Sequence, residues 1–311
     1  MLEDLVEVYG NGPVLAAVGG FVGFVFGVAA QHSRFCLRAA TVEVAEGRLG
    51  SRLSIWLIAF SAAVLSVQLL VSGGYLDVSE SRQLATTGSM SGAIIGGLMF
   101  GAGMILARGC ASRLLVLSAT GNLRAIITGL VLTLVAQSAL RGALAPARES
   151  LAALWTVPGG AARSLLIQLG ATSGLVAVFA AVALAGALIH AHRSAVKTSH
   201  AIAAIGVGIA VALGWLGTYT VAMNSFEVVA ISSVTFTGPS TDTLMGLVNR
   251  TQLPLGFGVG MVPGVFAGAG LMALLTGEAK IQRFGPVTPM EVYLIGAGLM
   301  GFGSMFAGGC A

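Results

Sequence analysis

The sequence predicts an all-α polytopic membrane protein built from inverted repeats, with broken or re-entrant helices meeting near the bilayer midplane. Three observations carry this. Hydrophobic residues make up 56% of the 311-residue chain and charged residues 9%, against about 25% charged in soluble domains. The polar surface of a soluble globule is missing. The stretch GAIIGGLMFGAGMILARGCA at 92–111 matches VYLIGAGLMGFGSMFAGGCA at 292–311 without a gap, so Cys110 falls on Cys310. Ile95, Gly96, Gly101, Gly103, Ala107, Gly109, Cys110 and Ala111 recur as identical residues in the second copy. Finally, many of the 45 glycines stand at helical spacing, as in GFGVGMVPGVFAGAG, which lets membrane helices approach backbone to backbone.

Crossing a hydrocarbon layer of about 30 Å takes roughly 17 to 25 apolar residues in a helix. Eight segments approximate this length: 13–30, 53–72, 90–107, 125–140, 164–190, 201–223, 254–276 and 289–307. The chain opens MLEDLVEVYGNG, acidic where a cleavable secretory signal is basic, so the N-terminal flank is expected outside. The positive-inside rule then assigns Arg48 and Arg52 to the cytoplasm, Asp77, Glu80 and Arg82 to the exterior, and Arg108, Arg113 and Arg124 to the cytoplasm. Arg141 and Arg148 fall outside against the rule, whereas His190, His192, Arg193 and Lys197 return to the cytoplasmic side. Five spans separate the two copies of the repeat, an odd number, so the copies run in opposite directions. The expected organisation is a first repeat at 1–125, connecting spans at 126–199 and a second, inverted repeat at 200–311. Inverted repeats of this kind are typical of transporters with a site near the midplane.

The cysteines sit where helices are expected to break. Arg108-Gly109-Cys110 and Gly308-Gly309-Cys310 follow segments short for a full crossing. A half-helix begun after such a break points free N–H groups and its positive dipole end at whatever lies beyond it. Cys36 follows the first span in a run that mixes Gln31, His32, Ser33, Arg34 and Arg38 into apolar sequence. The alternative for this cluster is a juxtamembrane turn with snorkelling arginines. At the same 200-residue offset, Phe236 stands for Cys36, and the hydroxyls of Thr235 and Thr237 flank it.

Several chemistries use cysteine. A single intramembrane cysteine is most often a small core hydrophobe, but two related by a repeat argue for more. Zinc is disfavoured because no C-x-x-C occurs and His190, His192 and His200 are remote in sequence from the cysteines; His190 and His192 read as a solvated loop. A disulfide needs a proximity that sequence does not establish. A Cys/His catalytic pair would have only His32 nearby. A neutral, polarizable thiol facing a path suits a sulfur-bearing anion. No P-loop appears, and Glu227, Asp242 and Glu291 read as interfacial charges. The formal charge of +4 reflects cytoplasmic loops and gives no reason to expect nucleic-acid binding.

SRFC at 33–36, GAGMILARGCASR at 101–113, VTFTGP at 234–239 and GFGSMFAGGC at 301–310 together resemble the YeeE/YedE family of sulfur-compound transporters, over nearly the whole chain. The resemblance implies uptake of thiosulfate across the bacterial inner membrane through an hourglass-shaped molecule. Cysteines would hand the anion along by thiol hydrogen bonds, with Cys110 the most critical. The path residues expected on this basis are Cys36, Cys110 and Cys310, with Gln31, Ser33, Arg34, Arg108, Gly109, Thr235 and Thr237. No cofactor is implied, and a TusA-like sulfur carrier is the implied cytoplasmic partner. The alternative is a membrane thiol or redox enzyme, or an accessory protein of sulfur or selenium metabolism. Two departures stand out: Arg108 replaces a frequent glycine, and the family pattern continues past the third cysteine, so a chain truncated after Ala311 is expected.

Overall fold

Long apolar runs with few helix breakers fold as helices because lipid offers no partner for a free peptide group. The computed structural model describes residues 2–283 and 289–309. Its helices are α1 (Leu2–Tyr9), α2 (Asn11–Ser33), α3 (Leu37–Ala45), α4 (Ser51–Ser72), α5 (Arg82–Ala85), α6 (Gly97–Leu106), α7 (Ala111–Ala119) and α8 (Leu123–Arg141). They continue with α9 (Ala145–Ala152), α10 (Leu165–Gln168), α11 (Ser173–Arg193), α12 (Thr198–Met223), α13 (Thr237–Asn249), α14 (Phe257–Leu275) and α15 (Met290–Phe306). A π-helical turn, Gly92–Gly96, leads into α6. A two-residue ribbon pairs β1 (Gly88–Ser89) antiparallel with β2 (Thr156–Val157). Among the described residues, seven spans are long and apolar enough to cross a membrane, with α15 a shorter apolar helix. The protein is an all-α polytopic membrane protein.

Each expected segment contains a helix, with one correction. Residues 164–172 do not continue into the fifth span: α10 ends at Gln168, Gly170 takes φ 61°, and Thr172 caps α11 by accepting from the Leu175 N–H at 3.3 Å. A capping hydroxyl followed by an apolar run starts a new helix. His190 and His192 also differ from expectation. They lie in the last turn of α11, and His190 Nδ1 is 2.8 Å from Ser54 Oγ on α4. Arg148, placed against the charge rule, donates from Nε to the Ala139 carbonyl near the end of α8 at 2.7 Å and pairs with Glu149 at 2.9 Å. A cation on the last carbonyls of a helix is favourable in its own right.

Glycines write the helix packing. Gly19, Gly23 and Gly27 of α2 lie against the carbonyls of Phe257, Met261 and Val265 of α14, while Gly260, Gly264 and Gly268 lie against those of Ala16, Gly20 and Phe24. Both series ascend together, so α2 and α14 are parallel. Equivalent helices of the two repeats behave differently. Gly96 of the π-helical turn faces Gly303 of α15, and Gly103 of α6 faces Gly296. These contacts exchange under the 200-residue offset, as an antiparallel pair about a twofold axis requires. The helices α2 and α12 are antiparallel as well, Ala29 facing Gly206 and Val18 facing Gly217. Their register departs from the offset, because three residues (34–36) separate α2 from α3 but thirteen (224–236) separate α12 from α13. The helix starts after the breaks, Leu37 and Thr237, keep the offset of 200.

Candidate functional site

Three helices end in one motif. At the end of α2, Arg34 takes φ 56° and the Phe35 N–H donates to the Ala30 carbonyl at 3.1 Å. At the end of α6, Arg108 takes φ 54° and the Gly109 N–H donates to Met104 at 3.2 Å. At the end of α15, Gly308 takes φ 92° and the Gly309 N–H donates to Ser304 at 2.8 Å. This is the left-handed stop that satisfies the last carbonyls of a helix, and in each case a cysteine follows two residues later. Cys310 itself lies outside the described residues. Glycine adopts this conformation freely, whereas an L side chain there costs about 1–2 kcal/mol.

After the stop, the chain turns extended and starts a second helix. Cys36 (φ −162°) and Cys110 (φ −80°, ψ 171°) are the capping residues of α3 and α7, each nine residues long. The two thiols are direct neighbours. The backbone N–H groups of Leu37 and Arg113 face Cys110, and that of Ala39 faces Cys36. Two helix N-termini therefore converge on one pair of sulfurs. Cys110 is 5% exposed, in a core with Phe26, Leu114, Phe236 and Met261, and its Sγ is 3.2 Å from Ser112 Oγ. Cys36 is partly exposed, and both thiols are free.

A polar relay runs outward from the sulfurs. The Arg113 guanidinium, in the first turn of α7, interacts with both cysteines and donates from Nη1 to Gln31 Oε1 at 3.5 Å. Gln31, 4% exposed, donates from Nε2 to Glu278 Oε2 at 2.7 Å, and Arg34 Nη2 donates to Glu278 Oε1 at 2.6 Å. Glu278 follows α14 through another left-handed stop, with Gly277 at φ 68° and the Glu278 N–H on the Ala273 carbonyl at 2.8 Å. The Arg34 hydrogen bond holds the Glu278 carboxyl below its ordinary value of 4.5, with Gln31 adding to the effect. The pair's contribution is thus present above the ordinary carboxylate range and lost as pH falls through the lowered value.

The remaining expected residues divide. Ser33, fully buried, gives its hydroxyl to the Ala29 carbonyl at 2.7 Å and has no free proton to offer. The Arg108 side chain is exposed and makes no hydrogen bond or ion pair among the described residues. Gly109 is buried beside Leu114. Thr235 is half-buried. Thr237, fully buried at the start of α13, has a hydroxyl with no partner among the described residues. Phe236 packs its ring on Phe26 of α2 at 5.1 Å. His32 approaches His200 edge-on at 5.3 Å. Arg113 and Glu278 are the additions sequence reasoning missed. Arg113 could have been found three residues after Cys110, where a first-turn residue faces the cap; nothing local marks Glu278.

Residues 32–311 match the sulphur transport family. The chain belongs to that family. Two relatives, each called a thiosulfate transporter TsuA, extend the likeness across almost the whole length. The protein of Spirochaeta thermophila is 26% identical over 305 residues, covering 94% of this chain and 88% of the relative. That of Escherichia coli is 25% identical over 316 residues, covering 94% and 83%. As a member of the sulphur transport family, the chain has its paired thiols, Arg34, Arg113 and Glu278 inside the matched region, with Gln31 one residue before it.

Proposed function

We propose that this protein carries thiosulfate, or a closely related sulfur-containing anion, inward across the bacterial inner membrane along a path lined by cysteines. The observation that carries the reading is the meeting of Cys36 and Cys110, from two separate helix breaks, at two converging helix N-termini. A dianion is costly to strip of water. Helix N-termini and the Arg113 guanidinium offset part of that cost without a metal or a covalent step. Thiols are weak donors, so an anion passes between them without being trapped, as conduction through several sites requires. The names of the two relatives support the substrate, and inner-membrane insertion accords with the long apolar helices.

On this reading the path comprises Cys36, Cys110 and Cys310 together with Gln31, Arg34 and Thr237, while Arg108 guides anions at its mouth. Gly109 and Ser33 shape the breaks, and Thr235 flanks the second. The two repeats are 1–125 and 200–311, joined by connecting spans at 126–199. The cargo leaves chemically unchanged, and a TusA-like carrier takes it over in the cytoplasm.

The test is uptake of radiolabelled thiosulfate by a bacterium lacking its own sulfate and thiosulfate importers. The parent chain takes up label, and Cys110→Ala at matched membrane levels falls to background; normal uptake by that variant defeats the cysteine path. Because the two thiols are neighbours, a membrane dithiol redox protein is the second reading. Cys110→Ser separates the two, since a hydroxyl retains a hydrogen-bond donor and part of the uptake but cannot cycle a disulfide.

A further inference from the structure

Among the described residues, Arg34 is the cation near the thiols that pairs with a carboxylate, and Glu278 holds it together with the neutral Gln31 amide. The two carboxylate oxygens go to different donors, one to each, as two oxygens of a bound oxyanion would. The Gln31 amide is used at both ends, giving its N–H to Glu278 and receiving Arg113 on its oxygen. Removing the carboxylate would therefore free Arg34, release the Gln31 N–H and loosen the side chain that restrains Arg113 beside the sulfurs. The ion pair is only partly buried, the Arg34 and Glu278 side chains being 49% and 34% exposed. Exposed pairs contribute little to folding, so this one opens at small cost. The backbone under Glu278 is nevertheless fixed by the Gly277 stop, and that under Arg34 by a left-handed conformation unfavourable for arginine. Two separately constrained turns aim these groups at each other.

We propose that Glu278 is an internal stopper for the anion path: its carboxylate occupies Arg34 and Gln31 in the empty protein, and the arriving sulfur-containing anion displaces it. The idea rests on the transport reading above. Glu278 then sets affinity and release at one end of the path without taking part in the passage beside the thiols. Neutralising it leaves the donors free for the cargo, which binds tighter and leaves more slowly.

The experiment is calorimetric titration of the purified full chain and its Glu278→Gln variant with thiosulfate, sulfite and sulfate, beside uptake rates for both. Glutamine keeps the shape and the backbone stop. The expected result is a thiosulfate Kd at least about fivefold lower in Glu278→Gln, with a lower apparent KM and a lower maximal rate, and loss of the tightening when Arg34→Gln is added. A residue that merely fastens the loop would lower the thermal midpoint and leave Kd unchanged or raised, and that outcome overturns the stopper. If the parent ignores thiosulfate while Glu278→Gln tightens for sulfite, the thiosulfate reading fails and the displacement stands. A variant that binds none of the three anions more tightly than the parent overturns the displacement.

Discussion

The breaks at Cys36 and Phe236 occupy equivalent places in the two repeats, each capping a helix that starts one residue later. In the first, the cap is a thiol beside a second thiol, reached through Gln31, Arg34 and Arg113. In the second, the cap is an aromatic ring, 3% exposed and packed on Phe26. Just before it, the chain is tied to α12 by backbone contacts, Ser233 Oγ donating to the Val211 carbonyl at 2.5 Å and Thr218 Oγ1 to the Ser232 carbonyl at 2.6 Å. One half presents exchangeable donors and the other a locked hydrophobic joint. The same break geometry occurs twice with different side chains, and on the transport reading proposed above one copy faces the cargo while the other packs in the core.

Transplanting the difference tests it most severely. Cys36→Phe places the second half's residue in the first and is expected to reduce thiosulfate uptake at least a hundredfold at matched membrane levels, because a ring fills the space beside Cys110 and supplies no donor. Retained uptake would show the first break to be as inert as the second. Phe236→Ala removes the ring from its contact with Phe26 and should cost about 3–5 kcal/mol of stability, read as a fall in thermal midpoint in detergent; a change below about 1 kcal/mol would mean the joint is not a core element.

Smaller effects sharpen the contrast. The Thr237 hydroxyl is buried without a partner among the described residues, which costs about 1–3 kcal/mol. Thr237→Val should raise the thermal midpoint while lowering uptake, if the orphan hydroxyl serves the anion as the proposed path requires. Unchanged uptake would return Thr237 to the inert side of the comparison. Arg108→Gly relieves a left-handed arginine and is expected to stabilise by about 1 kcal/mol, with apparent KM rising severalfold at low salt and little at high salt. A KM indifferent to ionic strength would remove the guiding charge.

Much of this organisation is legible in the chain. Apolar length finds the spans, and the ungapped repeat around Cys110 fixes the antiparallel partnership later seen between Gly96 and Gly303. The break before Cys36 is also marked, by polar residues in apolar sequence. What escaped was what depends on distance across the fold. Nothing near Glu278 announces that a residue 247 positions from Gln31 will accept its hydrogen bond. The left-handed stops were hidden because arginine at 34 and 108 disguises a position whose natural occupant is glycine, plainly present at Gly308. The extra chain at 224–236 escaped because the ungapped offset holds after it, from Leu37 and Thr237 onward, while the apolar sequence before it carries no identity that marks the change of register.

The parallel seam between α2 and α14 joins an element of the first repeat to one of the second, and along it peptide backbone lies on peptide backbone with glycine on both sides. Side chains that interdigitate can change rotamers and slide; bare backbones at this spacing have no rotamers to change, and any shift along the helix axis drives a Cβ into a carbonyl. The two halves are welded along this line. A carrier that rocks one repeat against the other would have to tear the weld in each cycle. On the transport reading proposed above, passage is therefore the work of small parts, the turns at Arg34, Arg108 and Gly277 and the side chains mounted on them, within a frame whose close backbone packing resists sliding.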